Sequence, residues 1–181
     1  MSKIACFKSY DIRGKVPGEL NEELAYKIAL AYTKLISCKS VVIGYDIRKS
    51  SKAISQALAK GFIDVGVDVT DIGLCGTEMI YFGTSYLGTD GGIMVTASHN
   101  PPEYNGMKFV KKDSVPVSYD SGLNEIEAMI VNNQLPALTE KKGVYKEINI
   151  YNDFIKNLDR FYDVTKIKPL KVVVNAGNGC V

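Results

Sequence analysis

A single histidine stands beside a serine in TASHNPPEYNGMKF, residues 96–109, directly after the apolar run Ile93, Met94, Val95. Ser98 offers a hydroxyl, His99 an imidazole that exchanges protons in the neutral range, and Asn100 an amide. The pair Pro101-Pro102 stiffens the loop, because proline fixes its own φ and disfavours helix for the residue before it. Ser, Asn and Pro also build ordinary polar turns, but such a particular string carrying the only histidine favours a reactive loop. Lys108 adds a compact cation two residues past Gly106. The triplet DIR occurs twice, in SYDIRG (9–14) and in GYDIRKSS (44–51), so that Arg13 and Arg48 present planar donors suited to phosphate. For Tyr10, packing at the core or rim and a role in the site are equally compatible with the sequence.

These residues need a scaffold, and the chain alternates strand-like with helix-like segments. An apolar stretch at Ile4 to Phe7 precedes SYDIRG. Leu24, Ile28, Ala31 and Leu35 then repeat at helical spacing behind Asn21, a good N-cap followed by Glu22 and Glu23 at the positive end of the helix dipole. A strand at Val41 to Gly44 leads to a helix with Ile54, Leu58 and Phe62, which Ser50 or Ser51 can cap. A strand at 67–73 leads to a helix opened by Gly76 and Thr77, and a strand at Gly91 to Thr96 follows. Later come a helix with Leu123, Ile126 and Ile130, a polar loop, a helix with Phe154, Leu158 and Phe161, and a strand at Leu170 to Val174 running into NAGNG. Strands alternating with crossover helices predict an α/β fold, a mixed or parallel sheet sandwiched by helices. In such sheets ligands gather beyond the carboxyl ends of strands. SYDIRG, GYDIRKSS, Gly76-Thr77 and TASHNP each follow an apolar segment and are expected to share one cleft.

Composition narrows the function classes. The 181 residues are 46% hydrophobic, which suits a soluble globular chain with a real core. A net charge of +2, from 22 basic and 20 acidic residues spread along the chain, leaves no basic tract for nucleic acid or an anionic membrane, so neither is an expected partner. Cys6, Cys38, Cys75 and Cys180 lack metal or redox spacing and read as reduced thiols of a cytoplasmic protein. Asp64 and Asp68 could share a helix edge or flank a turn. They do not form the cluster of oxygens that Mg²⁺ wants.

FKSYDIRG, GYDIRKSS, the glycine-threonine loop and TASHNPPEYNGMKF occur here in the order in which they occur in the α-D-phosphohexomutases. The chain resembles that family along its whole length. CFKSYDIRG and the PEYNGMK tail resemble the bacterial phosphomannomutases of the phosphomannomutase/phosphoglucomutase branch more than the phosphoglucosamine mutases, whose equivalents read FGTDGIRG and SASHNP.

The resemblance implies reversible transfer of phosphate between O1 and O6 of a hexose. The interconversion is that of mannose 1-phosphate and mannose 6-phosphate, with a glucose phosphate preference or a noncatalytic sugar-phosphate-binding module as alternatives. It implies that Ser98 is carried as phosphoserine and passes its phosphoryl group through a hexose 1,6-bisphosphate, the activator. His99 and Lys108 would handle protons and charge, Tyr10 and Arg13 would approach from the first loop, and Asn100 would orient the serine loop. The resemblance also implies Mg²⁺ bound by the phosphoserine at Ser98 and by aspartates of a second domain whose DGDxDR loop is absent from this sequence, as are the family's loops of domains three and four. On that pattern residues 1–150 form the phosphoserine-bearing first domain. Residues 151–181 form a connecting helix and the first strand of a second domain, and the chain by itself folds without catalysing.

Overall fold

A computed structural model of the chain describes residues 4–175. In chain order its main elements are β1 (Ile12–Lys15), α1 (Glu22–Ile36), β2 (Ser40–Tyr45), α2 (Ser51–Asp64), β3 (Asp68–Leu74), α3 (Thr77–Tyr86) and β4 (Gly91–Val95). They continue with β5 (Tyr104–Lys111), the short β6 (Val115–Pro116), α4 (Leu123–Val131), β7 (Tyr145–Glu147) and α5 (Tyr151–Leu158). Asn21 starts α1 as its chemistry dictates, with an extended backbone and a side-chain oxygen that accepts the Leu24 N–H at 2.9 Å. The helix then buries Ala25, Ile28, Ala29 and Tyr32, one face at helical spacing.

The strands form one seven-stranded sheet in the order β1-β5-β4-β2-β3-β7, with β6 added to β5. The pairs β2–β3, β2–β4 and β3–β7 are parallel, whereas β5 runs antiparallel to β1, β4 and β6. Alternation along the strands feeds two cores. Val41 and Ile43 of β2 and Ile93 and Val95 of β4 pack with α1, α2 and α4, while Val42 and Met94 pack on the opposite face with α3 and Ile150. The mixed sheet sandwiched by helices that the alternation predicts is therefore the fold. After α2 the chain goes to β3 on one side of β2, and after α3 it crosses to β4 on the other. The order reverses between β2 and β4, which opens a crevice beyond their carboxyl ends. Asp46 and Thr96 are the first residues past those two strands.

Several sequence expectations are corrected. Ile4 to Phe7 is a turn region with one bridge, Phe7 to Ile12, and the first strand is supplied by IRGK within the polar motif, because Ile12 is the residue that reaches the core. The tail YNGMKFVK is a central strand rather than part of a loop; its polar residues are tolerated because both of its edges are paired. Ser50 occupies the N-cap position of α2 without a side-chain capping bond, and Ser51 Oγ turns instead to Asp46. Residues 170–174 are irregular and exposed, Val173 by 93%, and among the described residues they pair with no strand. Most of the NAGNG turn, residues 176–179, and Cys180 lie outside the described residues.

Asp64 ends α2 and Asp68 opens β3, so the two flank the turn at Val65 and Gly66. Asp64 accepts from Tyr26 Oη at 2.9 Å and Lys60 Nζ at 2.6 Å, and it lies 3.4 Å from Lys142 Nζ. The Lys60 hydrogen bond, ahead of the others, holds its carboxyl down at about 2. Desolvation raises the thiols of Cys6 to about 11 and of Cys38 and Cys75 to about 12, so none of these buried cysteines is primed as a nucleophile at neutral pH. No helix among the described residues is long and apolar enough to cross a membrane.

Gly106 shows how tightly the crevice is built. A Cβ there would run into the Ile12 carbonyl and lie 2.9 Å from the Thr96 carbonyl, both backbone atoms. Gly106→Ala is expected to destabilise the chain by about 2–3 kcal/mol, the upper part of the usual overpacking range. Urea denaturation reads this as a lowered midpoint, and an unchanged midpoint would mean that β1 moves aside without cost.

Candidate active site

Ser98 sits where the chain leaves β4 and turns across the crevice. Its φ is +56°, a left-handed conformation that costs a non-glycine residue roughly 1–2 kcal/mol. Such a backbone persists only when its surroundings over-determine it. They do so from both sides of the residue. The Ser98 N–H donates to Thr96 Oγ1 at 2.8 Å, and the Ser98 carbonyl accepts from Arg48 Nη2 at 2.7 Å.

Arg48 does more than hold one carbonyl. Its Nη2 also reaches Asn100 O at 2.7 Å, and its Nη1 donates to Pro101 O at 2.8 Å and Tyr104 O at 3.0 Å. The side chain is only 5% exposed, so this guanidinium is a bolt through the serine loop. Its motif suggested a phosphate donor; the geometry commits its terminal nitrogens to main-chain oxygens. Lys could not replace that planar fork.

Behind the loop lies a buried carboxylate that sequence reasoning did not single out. Asp46 is 1% exposed. One of its oxygens accepts from the Arg48 N–H at 3.1 Å and Ser51 Oγ at 2.6 Å; the other accepts from Thr96 Oγ1 at 2.7 Å and lies 3.3 Å from Arg48 Nε. Asn105, fully buried, donates to Ser50 Oγ and Ser51 Oγ and completes the network. A buried carboxylate needs this degree of satisfaction to be tolerated.

The first DIR triplet repeats the pattern nearer the surface. Arg13 Nε and Nη2 both reach Asp11 Oδ2 at 2.9 Å, while its Nη1 donates to Asn100 Oδ1 at 2.7 Å. Lys108 Nζ lies 3.5 Å from the same Asp11 oxygen, although Lys108 comes from β5. Arg13, Lys108, Asn100 and Ser98 are thus brought to one place, as their motifs suggested. Asp11 and Asp46 were legible only as the aspartates two residues before each arginine, a spacing that lets a carboxylate clasp its own triplet's guanidinium.

His99 is exposed, with Nδ1 3.3 Å from Ser98 Oγ; the tautomer decides which atom donates. Tyr10 stands 82% exposed on the loop before β1. Gly76 is the extended N-cap of α3, and the preceding Cys75 N–H donates to Tyr45 O at the carboxyl end of β2, which keeps this turn on the same side of the sheet. The net result is a hydroxyl beside an imidazole, on a loop that Arg13 contacts at Ala97 O and Asn100 Oδ1, with Lys108 sharing the Asp11 carboxylate of Arg13. Such a site can bind a dianionic phosphate and move a proton at the serine oxygen.

Mg²⁺ finds no comparable provision. Among the described residues no group of three His, Cys, Asp or Glu side chains could hold a metal ion. Asp11 is taken up by two cations and Asp46 by hydroxyls and Arg48, so these residues do not make the octahedral oxygen set that Mg²⁺ requires.

Comparison with known proteins bears on the same residues. Residues 5–137 match the family described as "Phosphoglucomutase/phosphomannomutase, alpha/beta/alpha domain I". The chain is 48% identical over 180 residues to a phosphomannomutase of Escherichia coli strain K12, covering 99% of this chain and 40% of that protein. A Klebsiella pneumoniae phosphomannomutase sequence is 46% identical over 156 residues, 86% of this chain and 99% of that sequence. Among solved structures, a phosphoglucomutase/phosphomannomutase family protein of Burkholderia thailandensis superposes with a TM-score of 0.77 at 30% identity, over 87% of this chain and 36% of that one. The chain spans about two fifths of the length of the Escherichia coli relative. With the family match covering β1 to β6 and the serine loop alike, the chain belongs to the phosphoglucomutase/phosphomannomutase family, residues 5–137 matching its alpha/beta/alpha domain I.

Proposed function

We propose that the chain is the phosphoserine-bearing domain of a phosphohexomutase that interconverts mannose 1-phosphate and mannose 6-phosphate. The observation that carries the reading is the Ser98 hydroxyl, on a residue fixed by Thr96 and Arg48 and lying 3.3 Å from His99 Nδ1. Relatives named phosphomannomutase support the mannose assignment. The activity is proposed for a protein of the full length of those relatives. In it residues 1–150 are the phosphoserine-bearing domain, residues 151–181 lead on to further domains, and the protein works in the cytoplasm. Mg²⁺ and a hexose 1,6-bisphosphate activator belong to the same reading. The described residues do not form a site for the ion, and the work of this chain in the transfer is that of its own side chains.

Phosphoryl transfer needs little covalent help from the protein and much positioning and charge neutralisation. Transfer from Ser98 breaks the Oγ–P bond and forms a bond from phosphorus to a sugar oxygen. The sugar hydroxyl loses its proton and Ser98 Oγ gains one, and His99 carries that proton between them. Arg13 and Lys108 neutralise the phosphate. Asp11 balances one of their two charges, leaving a net positive charge that accepts a dianion without trapping it. Asn100, held by Arg13, orients the loop, and Tyr10 approaches the phosphoserine from the first loop.

Incubation with glucose 1,6-bisphosphate, followed by peptide mass spectrometry, is expected to place one phosphate on Ser98. Phosphate on Ser50 or Ser51 would sink the assignment, as would none at all on a protein of full relative length.

A further inference from the structure

Asp46 lies buried behind the reactive loop, one residue past β2, and its bonds run toward the serine rather than toward solvent. We propose that Asp46 is a positioning residue for Ser98, acting through the hydroxyl of Thr96; the proposal deepens the phosphoserine reading and rests on it for its kinetic consequence. A threonine hydroxyl has one proton and free lone pairs, so it can donate in one direction while accepting from another. Here Asp46 Oδ2 lies 2.7 Å from Thr96 Oγ1, and a carboxylate can only accept, so the hydroxyl proton points at Asp46. The lone pairs of Thr96 Oγ1 then face the Ser98 N–H, 2.8 Å away. A rotor that could otherwise point its own proton at that N–H is locked as its acceptor.

The same aspartate steadies the other arm. Asp46 accepts the Arg48 N–H and lies 3.3 Å from Arg48 Nε, and Arg48 in turn holds the Ser98 carbonyl at 2.7 Å. Both peptide groups that flank the Ser98 α-carbon are therefore governed from one buried carboxylate. That explains how a serine keeps φ +56° at the tip of a loop where a glycine would adopt it more easily. The consequence for function is directional: Ser98 Oγ leaves the loop at a set angle whether or not a phosphoryl group is on it. Ser51 and Asn105 extend the brace into α2 and β5, so it is anchored on regular elements rather than on the loop itself. Preorganisation of this kind is where sub-ångström placement turns into rate.

The test compares Thr96→Val, which keeps the shape and removes the hydroxyl, with Thr96→Ser, which keeps the hydroxyl. In the 181-residue chain, NMR should show the Ser98 amide exchanging at least about tenfold faster in Thr96→Val, with its HN–Hα coupling moved away from the left-handed value. Thr96→Ser should match the wild type in both. In a mutase of full relative length carrying this domain, Thr96→Val should lower kcat by about tenfold or more with KM within about twofold, and Thr96→Ser should restore it; a one-bond loss of that size corresponds to about 1.4 kcal/mol. If Thr96→Val does not fold, Thr96→Cys, with a weak sulfur donor and acceptor, takes its place. Unchanged Ser98 exchange and coupling in the variant lacking the hydroxyl would overturn the brace, as would a kcat that Thr96→Ser fails to restore. A wild-type protein that takes no phosphate on Ser98 would defeat the phosphoserine reading instead, and the NMR comparison would still decide the brace.

Discussion

Ser98→Ala is expected to reduce mutase turnover to background while the fold survives. The reason lies in where the bonds of this residue originate. Its hydroxyl faces His99 Nδ1 at 3.3 Å on an exposed neighbour, and the bonds that shape the loop come from the Ser98 main chain, which alanine retains. Stability should therefore change by no more than about 0.5 kcal/mol, as for substitutions away from packed features. A steady-state assay from mannose 1-phosphate to mannose 6-phosphate, with the urea midpoint of the same preparation, checks both halves. Turnover above a few per cent of wild type would remove Ser98 as the phosphoryl carrier. A large fall in the urea midpoint would show that the hydroxyl is structural.

The loop that makes this substitution informative was only partly readable in the sequence. TASHNP stood out as a candidate site because unusual residue types are concentrated in it, and Asn21, the spacing of Ile54, Leu58 and Phe62, and the apolar run before Thr96 each declared a local element. Local chemistry decides such features, so they survive translation into structure. What stayed hidden depends on residues distant in the chain. Asp46 meets Thr96 across fifty positions, and Arg48 finds carbonyls fifty to fifty-six positions away. No periodicity encodes those distances. The strand β5 was missed because its residues read as a polar continuation of the serine loop; pairing on both edges, not propensity, makes it a strand. The strand β7, three exposed residues long, is recruited by the open edge of β3 and has almost no pattern of its own. Leu170 to Val174 fails in the opposite way, with strong strand propensity and, among the described residues, no strand pairing.

His99 and Lys108 separate two kinds of help, and their substitutions are expected to fail differently. His99→Ala removes the group placed to hold the proton at Ser98 Oγ. Loss of a general acid or base costs about 10²- to 10⁴-fold, so kcat should fall by at least about a hundredfold while KM stays near wild type. The imidazole is exposed, so the fold should be indifferent to its loss. Lys108→Ala removes a cation that lies 3.5 Å from Asp11 and leaves that carboxylate to Arg13. The local charge of the three side chains then falls from net positive to neutral. A dianionic phosphate is held less well before and during transfer, so kcat and KM should both suffer. Lys108→Arg should recover much of KM, because the charge returns, but little of kcat, because a longer planar group pairs with Asp11 differently from a compact ammonium. Stopped assays across substrate concentration resolve the two parameters for each variant. Near-normal kcat in both alanine variants would leave His99 and Lys108 as surface side chains of the serine loop and of β5 and take the proton carrier away from Ser98 Oγ, which would undo the proposed transfer step. If His99→Ala raised KM alone, the imidazole would be a phosphate ligand, and the proton would have to travel through Lys108, whose Nζ already stands beside Arg13 and Asp11 at the mouth of the crevice.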